Sequence, residues 1–230
     1  MSPTRSLTRI ATTALVMATL LGSTLQAADA TLGARVVPAA VKKTKNLIKN
    51  PGAESGNGSS NGSVVNVPNW TRYAGTAATA VQYGASGGFP TSSTPGAPNR
   101  GHNFFAGGPS TASFQGFQQV IDVSKYRSAI DAGHATFVLK AWMGGYRDAG
   151  DTAMVLLEEQ NGGGLFIDDA AVGPVTNTDR HNQTKFLMRT ESAPITVGTR
   201  KIYVLIRFDY VDGSYNDGYA DNLSLVLTGI

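Results

Sequence analysis

Tyr215-Asn216-Asp217-Gly218-Tyr219-Ala220-Asp221-Asn222-Leu223-Ser224-Leu225-Val226-Leu227, near the end of the chain, carries two patterns with different physical logic. From Asn222 onward the residues alternate. Leu223, Leu225 and Leu227 fall on one side, and Asn222, Ser224 and Val226 on the other. That is the period of a strand with one strongly apolar face. Just before it, Asn216, Asp217 and Asp221 offer hard oxygens around a Gly-containing turn. Calcium takes six to eight oxygen ligands in irregular geometry, and such a turn suits it. The stretch therefore predicts a final core strand with an ion site at its start.

The same period recurs upstream. In residues 200–210, Ile202, Val204, Ile206 and Phe208 point one way, and Tyr203, Leu205, Arg207 and Asp209 the other. In residues 135–143, Phe137, Leu139, Ala141 and Met143 alternate with Val138, Lys140 and Trp142. Residues 152–159 and 185–192 read as further strands, and Asn161-Gly162-Gly163-Gly164 as a hairpin turn returning through residues 165–167. Residues 113–123 are β-like, with Val120, Ile121 and Val123 expected inside, and residues 124–130 give one helical turn. Asp168 and Asp169 are expected in a turn. Residues 56–63 and 84–103, rich in Gly, Ser, Asn and Pro, read as loops. No long amphipathic helix is found. Short strands between Gly-rich turns predict an all-β sandwich or jelly roll over residues 46–230.

The N-terminal part is different in kind. Residues 1–30 read as a signal peptide: Arg5 and Arg9 are followed by a mostly apolar run and by Ala28-Asp29-Ala30, an A-x-A cleavage pattern. The run is too short and too interrupted for a spanning helix, which needs about 20 apolar residues. The expectation is a secreted, extracellular or periplasmic protein with no membrane span in its mature form. Residues 31–45 read as a linker. Cysteine is absent from the 230 residues, so no disulfide can staple the domain and a bound ion is an alternative.

The formal charge of +3 is unevenly placed. Six of the 19 basic residues (Arg5, Arg9, Arg35, Lys42, Lys43 and Lys45) precede Asn46, but only Asp29 of the 16 acidic ones does. The domain itself therefore holds 13 basic and 15 acidic residues. It has no basic face for nucleic acid.

Two separated stretches fit one known pattern. Asn46-Leu47-Ile48-Lys49-Asn50-Pro51-Gly52-Ala53-Glu54, followed by Pro68-Asn69-Trp70, resembles the opening signature of carbohydrate-binding modules with the galactose-binding-like jelly-roll fold. Tyr219-Ala220-Asp221-Asn222-Leu223-Ser224-Leu225 resembles their closing strand. The resemblance spans residues 46–228, with specific motifs only at its two ends. It implies a structural calcium held in part by Glu54 and Asp221. The sugar-contacting residues of such modules vary too much to be carried over. A linear EF-hand starting at Asp212 fails, because position six is Asp217 and position twelve is Leu223.

Catalytic patterns are lacking. His102, His134 and His181 have no metal-ligand spacing, and there is no G-x-S-x-G, H-E-x-x-H or P-loop motif. Glu158 and Glu159 are strand neighbours and face opposite sides. Binding has more support, because aromatic faces beside planar polar groups suit sugars. Trp142, Tyr146, Arg147 and Arg207 are the candidate ligand residues. The sequence thus points to a secreted, calcium-stabilised, non-catalytic β-sandwich that binds a polysaccharide or glycan. The alternative is a structural or interaction protein of the cell envelope or matrix on the same fold, without a sugar site.

Overall fold

A computed structural model describes residues 41–230. The expected signal peptide and the first ten residues of the expected linker lie outside them. Among the described residues ten strands form two antiparallel five-stranded sheets. In chain order they are β1 (Thr71–Tyr73), β2 (Thr79–Gln82), β3 (Asn103–Gly108), β4 (Phe114–Asp122), β5 (Thr136–Gly145), β6 (Thr152–Gln160), β7 (Phe166–Val172), β8 (Lys185–Pro194), β9 (Lys201–Asp209) and β10 (Asn216–Thr228). Sheet one has the order β1-β4-β9-β6-β7, and sheet two β2-β3-β10-β5-β8. A short helix, α1 (Arg127–Asp131), follows β4. No helix among the described residues is long and apolar enough to cross a membrane.

The core lies between the sheets and follows the alternation. Ile202, Val204, Ile206 and Phe208 of β9 are buried, as are Phe137, Leu139, Ala141 and Met143 of β5 and Leu223, Leu225 and Leu227 of β10. Trp70 packs edge-on against Phe105 at 5.4 Å, and its indole N–H donates to Asn50 O at 2.9 Å. The Asn-Pro-Gly turn and the Pro-Asn-Trp stretch are thereby locked together.

The last strand is the hub. Its first half pairs with β3, and its length pairs with β5. Beyond β3, residues 44–47 take over. Thr44 N donates to Leu227 O (2.9 Å) and Leu47 N to Leu225 O (2.8 Å), and the Asn46 amide bridges Leu223 O and Leu225 N. Among the described residues the first to pair is Lys42, whose carbonyl accepts from Gly229 N.

Three expectations are corrected. Val120 is 48% exposed, because Ile121 beside it takes the inward position and neighbours on a strand cannot both do so. Asp168 and Asp169 are not in a turn. They lie within β7, opposite Glu159 and Glu158. Asn103, placed at the end of a loop, instead opens a strand over residues 103–108 that is buried at all six positions. The strand shows no alternation because both its faces are covered. Phe105 faces the core, and Phe104 faces a second apolar cluster with Val81, Ala106, Phe186 and Tyr219. The long loop before β3 lies over that cluster, where Phe186 N donates to Pro95 O at 2.9 Å.

Gly116, inside β4, marks a close backbone approach. A Cβ there would sit 1.8 Å from Ile206 O and 2.8 Å from the Tyr73 ring. The Gly116→Ala variant is expected to lose about 2–3 kcal/mol, since the carbonyl belongs to the paired strand and cannot yield cheaply. Urea unfolding measures it; an unchanged midpoint would contradict the packing.

Candidate functional site

Two places gather polar groups beside cavities. The first joins the chain ends. The Glu54 carboxylate accepts the backbone N–H of His102 and of Asn103, both at 2.9 Å. Asp221, only 1% exposed, accepts the Tyr83 hydroxyl (2.7 Å) and Asn222 N (2.6 Å). A register shift in β10 after Asp221, with Asn222 at φ 48°, breaks the strand's alternation. The side chains of Asp221 and Asn222 therefore both reach Gly52. A Cβ on Gly52 would lie 3.1 Å from Asp221 Oδ1, 3.3 Å from Asn222 Oδ1 and 3.8 Å from Glu54 Cγ.

Burial pushes the Asp221 carboxyl up to about 7. The Tyr83 and Asn222 hydrogen bonds and the Arg100 charge pull against this, and Glu54 adds to the rise. The guanidinium of Arg100 lies 5.1 Å from the Tyr83 ring centre. A buried carboxylate with a second one nearby and an amide oxygen converging on it is a donor set that a hard cation would relieve. Among the described residues no three His, Asp or Glu side chains are placed to hold a metal ion together. An ion here would need carbonyl and amide oxygens besides the two carboxylates.

The second place is one end of the sandwich. The β5–β6 and β9–β10 connections both cross between the sheets there, and the loops at 57–63 and 84–89 close over them. Two adjoining cavities of about 390 and 320 Å³ result. Tyr146, Tyr215 and Asp217 line both; Asp148 and Asp212 line one, and Phe89 the other. Tyr215 meets Phe89 edge-on at 5.3 Å, and its hydroxyl donates to Gly62 O at 3.1 Å. Gly62 is required where it is: its φ is +81°, and a Cβ would stand 2.4 Å from the Phe89 ring.

Two fully buried charges hold this end, Asp151 and Arg180. Asp151 accepts N–H bonds from Val211 (2.6 Å), Asp212 (3.3 Å) and Asp217 (2.7 Å), which pins both ends of the β9–β10 loop. Arg180 donates to the carbonyls of Arg147 (2.7 Å), Ala149 (2.9 Å) and Gln183 (3.1 Å), which shapes the β5–β6 loop. Burial raises the Asp151 carboxyl and lowers the Arg180 guanidinium. Asp217 accepts the Tyr219 hydroxyl at 2.6 Å, yet burial pushes its carboxyl up to about 6, with Asp151 and Asp212 adding and Arg180 opposing.

The structure divides the four candidate ligand residues among three places. Tyr146 lines the end cleft, with the Arg147 guanidinium 5.0 Å from its ring centre. Trp142 lines a separate groove of about 300 Å³ on the outer face of sheet two, with Lys140, Met188 and Asn99. It stands directly opposite Asp221. Arg207 is on the outer face of sheet one, over Phe114 (4.3 Å) and paired with Asp209 (2.7 Å). Tyr215 and Asp217 of the cleft lie in the quoted closing stretch, but nothing in their spacing marks them as cleft residues. Asp151 and Arg180 carry no sequence signal.

No family model and no curated protein matches the sequence. Solved structures do match in shape. An apo form cyclase from Fischerella sp. superposes with a TM-score of 0.51 at 12% identity, over 81% of this chain and 97% of that one. The two antiparallel five-stranded sheets make the fold a jelly-roll β-sandwich. A family 16 carbohydrate-binding module gives a TM-score of 0.47 at 19% identity, covering 78% of this chain and 99% of the module. The enzymatically active domain of tailspike protein 4 from bacteriophage CBA120 gives 0.49 at 15% identity over 78% of this chain, which spans 21% of that one. At these identities the likeness is one of fold alone.

Proposed function

We propose that the chain is a secreted, calcium-stabilised β-sandwich that binds carbohydrate without cleaving it. The observation that carries this reading is the end cleft, where Tyr146 and Tyr215 flank the carboxylates of Asp148, Asp212 and Asp217. An aromatic side chain offers a rigid apolar surface to the C–H face of a sugar, and carboxylates accept its hydroxyls. The signal-peptide pattern of residues 1–30 supports secretion. The convergence of Asp221 and Asn222 on Gly52 beside Glu54 supports the ion. A binding role without catalysis is supported by the scatter of the three histidines, each exposed on its own segment.

Tyr146→Ala and Tyr215→Ala are each expected to weaken glycan binding about 10- to 100-fold, by loss of a stacking face. Glycan arrays and pull-downs on insoluble polysaccharides, with melting temperatures as a fold control, measure this. Binding that survives both variants would place the sugar elsewhere. The competing reading, an envelope or matrix interaction protein, draws on Leu165 and Phe166. They stand 70% and 57% exposed on the β6–β7 hairpin. Failure on every glycan, with a protein partner recovered after deglycosylation, would favour it.

A further inference from the structure

We infer that the end cleft selects a positively charged sugar: a glycan carrying a free amino group. The inference rests on the reading of this cleft as the sugar site and adds the chemical class of the ligand. The cavity and its two tyrosine rings make the place a site, and the charges around it decide what enters.

Four carboxylates surround the cleft: Asp148, Asp212 and Asp217 in its wall, and Asp151 beneath. Two cations stand against them, and neither is bonded to these acids. Arg180 is buried, with its bonds directed to three backbone carbonyls. Arg147 lies against the outer tyrosine ring. The local balance is negative, and Asp151 and Asp212 add to the rise that burial imposes on the half-buried Asp217. An incoming ammonium would lie near the carboxylates of Asp148, Asp212 and Asp217 and beside the Tyr215 ring, an arrangement that attracts cations. An acidic sugar would meet like charges instead. The two cavities, at the lower end of the usual ligand-pocket range of about 300–1,000 Å³, fit one or two sugar rings rather than a long chain.

The test titrates the full chain by calorimetry with glucosamine oligomers, their N-acetylated counterparts, and neutral xylo- and galacto-oligosaccharides. The amino form is expected to bind about tenfold more tightly than the acetylated one. That preference is expected to shrink at high salt, where exposed charges are screened. It should also fall in Asp148→Asn and Asp212→Asn. Both residues are exposed, and in the second variant the amide oxygen can still accept the Gly150 N–H that Asp212 Oδ2 accepts now. Equal or weaker binding of the amino form, with neutral oligomers still bound through Tyr146 and Tyr215, overturns the charge selection and leaves the sugar site standing. No binding of any sugar removes both.

Discussion

Arg180→Met is expected to lower the unfolding free energy by about 3–5 kcal/mol, the cost of taking one member out of a buried charged network. Among the described residues Arg180 is the largest fully buried side chain. Its guanidinium satisfies the carbonyls of Arg147, Ala149 and Gln183, and methionine satisfies none of them. The same change removes the positive charge that opposes the half-buried Asp217, and with it a cation near the fully buried Asp151. For a domain of about 190 residues the loss corresponds to roughly 10 °C in melting temperature. It should be partly recovered in Arg180→Met with Asp217→Asn, because the second change removes one of the stranded charges. A melting temperature within a degree or two of wild type would mean that Arg180 is not buried as described.

The second large effect is linked to calcium. If Glu54 and Asp221 share an ion, chelation lowers the melting temperature and calcium restores it. At free calcium a hundred times the dissociation constant, linkage gives about 2.7 kcal/mol, or roughly 5–10 °C. The pH dependence has a definite sign. Burial raises the Asp221 carboxyl in the fold from its ordinary 3.8 to about 7, so the folded chain holds a proton that the unfolded chain has released. Below pH 4 the group is protonated in both states and its full contribution is kept; between pH 4 and 7 the metal-free protein therefore loses stability as pH rises. Calcium needs the ionised form, so its stabilising effect should be full above pH 7 and fade toward pH 5. Asp221→Ala should abolish most of the calcium response, and Glu54→Gln should weaken it. Asp217→Ala should leave it, since Asp217 lies in the end cleft and not beside Gly52. Identical melting curves with and without calcium at pH 8, on metal-stripped protein, would remove the ion from the proposed function.

The sequence was most legible where one face of a strand is wet. In β5, β9 and β10, polar and apolar residues alternate because one side meets the core and the other meets solvent. It was least legible in β3. There Phe104 and Phe105 are both buried, on opposite faces, so no alternation could appear. Val120 was misplaced because composition says that a residue is apolar, whereas only the position along β4 says which way it points. The Glu54–Asp221 reading came from two motifs 167 residues apart; the bulge that also brings Asn222 to Gly52 left no mark in them.

The sequence alone therefore determined the fold class, the inward faces of the long strands and the absence of disulfides, and it singled out Glu54 and Asp221 as the candidate ion ligands. These depend on local period and on residue chemistry. Only the tertiary structure decided which loops share an end of the sandwich. Tyr146, Tyr215, Phe89 and Gly62 come from four separate segments, and they meet because β5–β6 and β9–β10 both cross between the sheets at that end. Strand order and register, which arise from many long-range pairings, set that coincidence. No local pattern can encode it, and for the same reason Asp151 and Arg180 became visible only once the chain was folded around them.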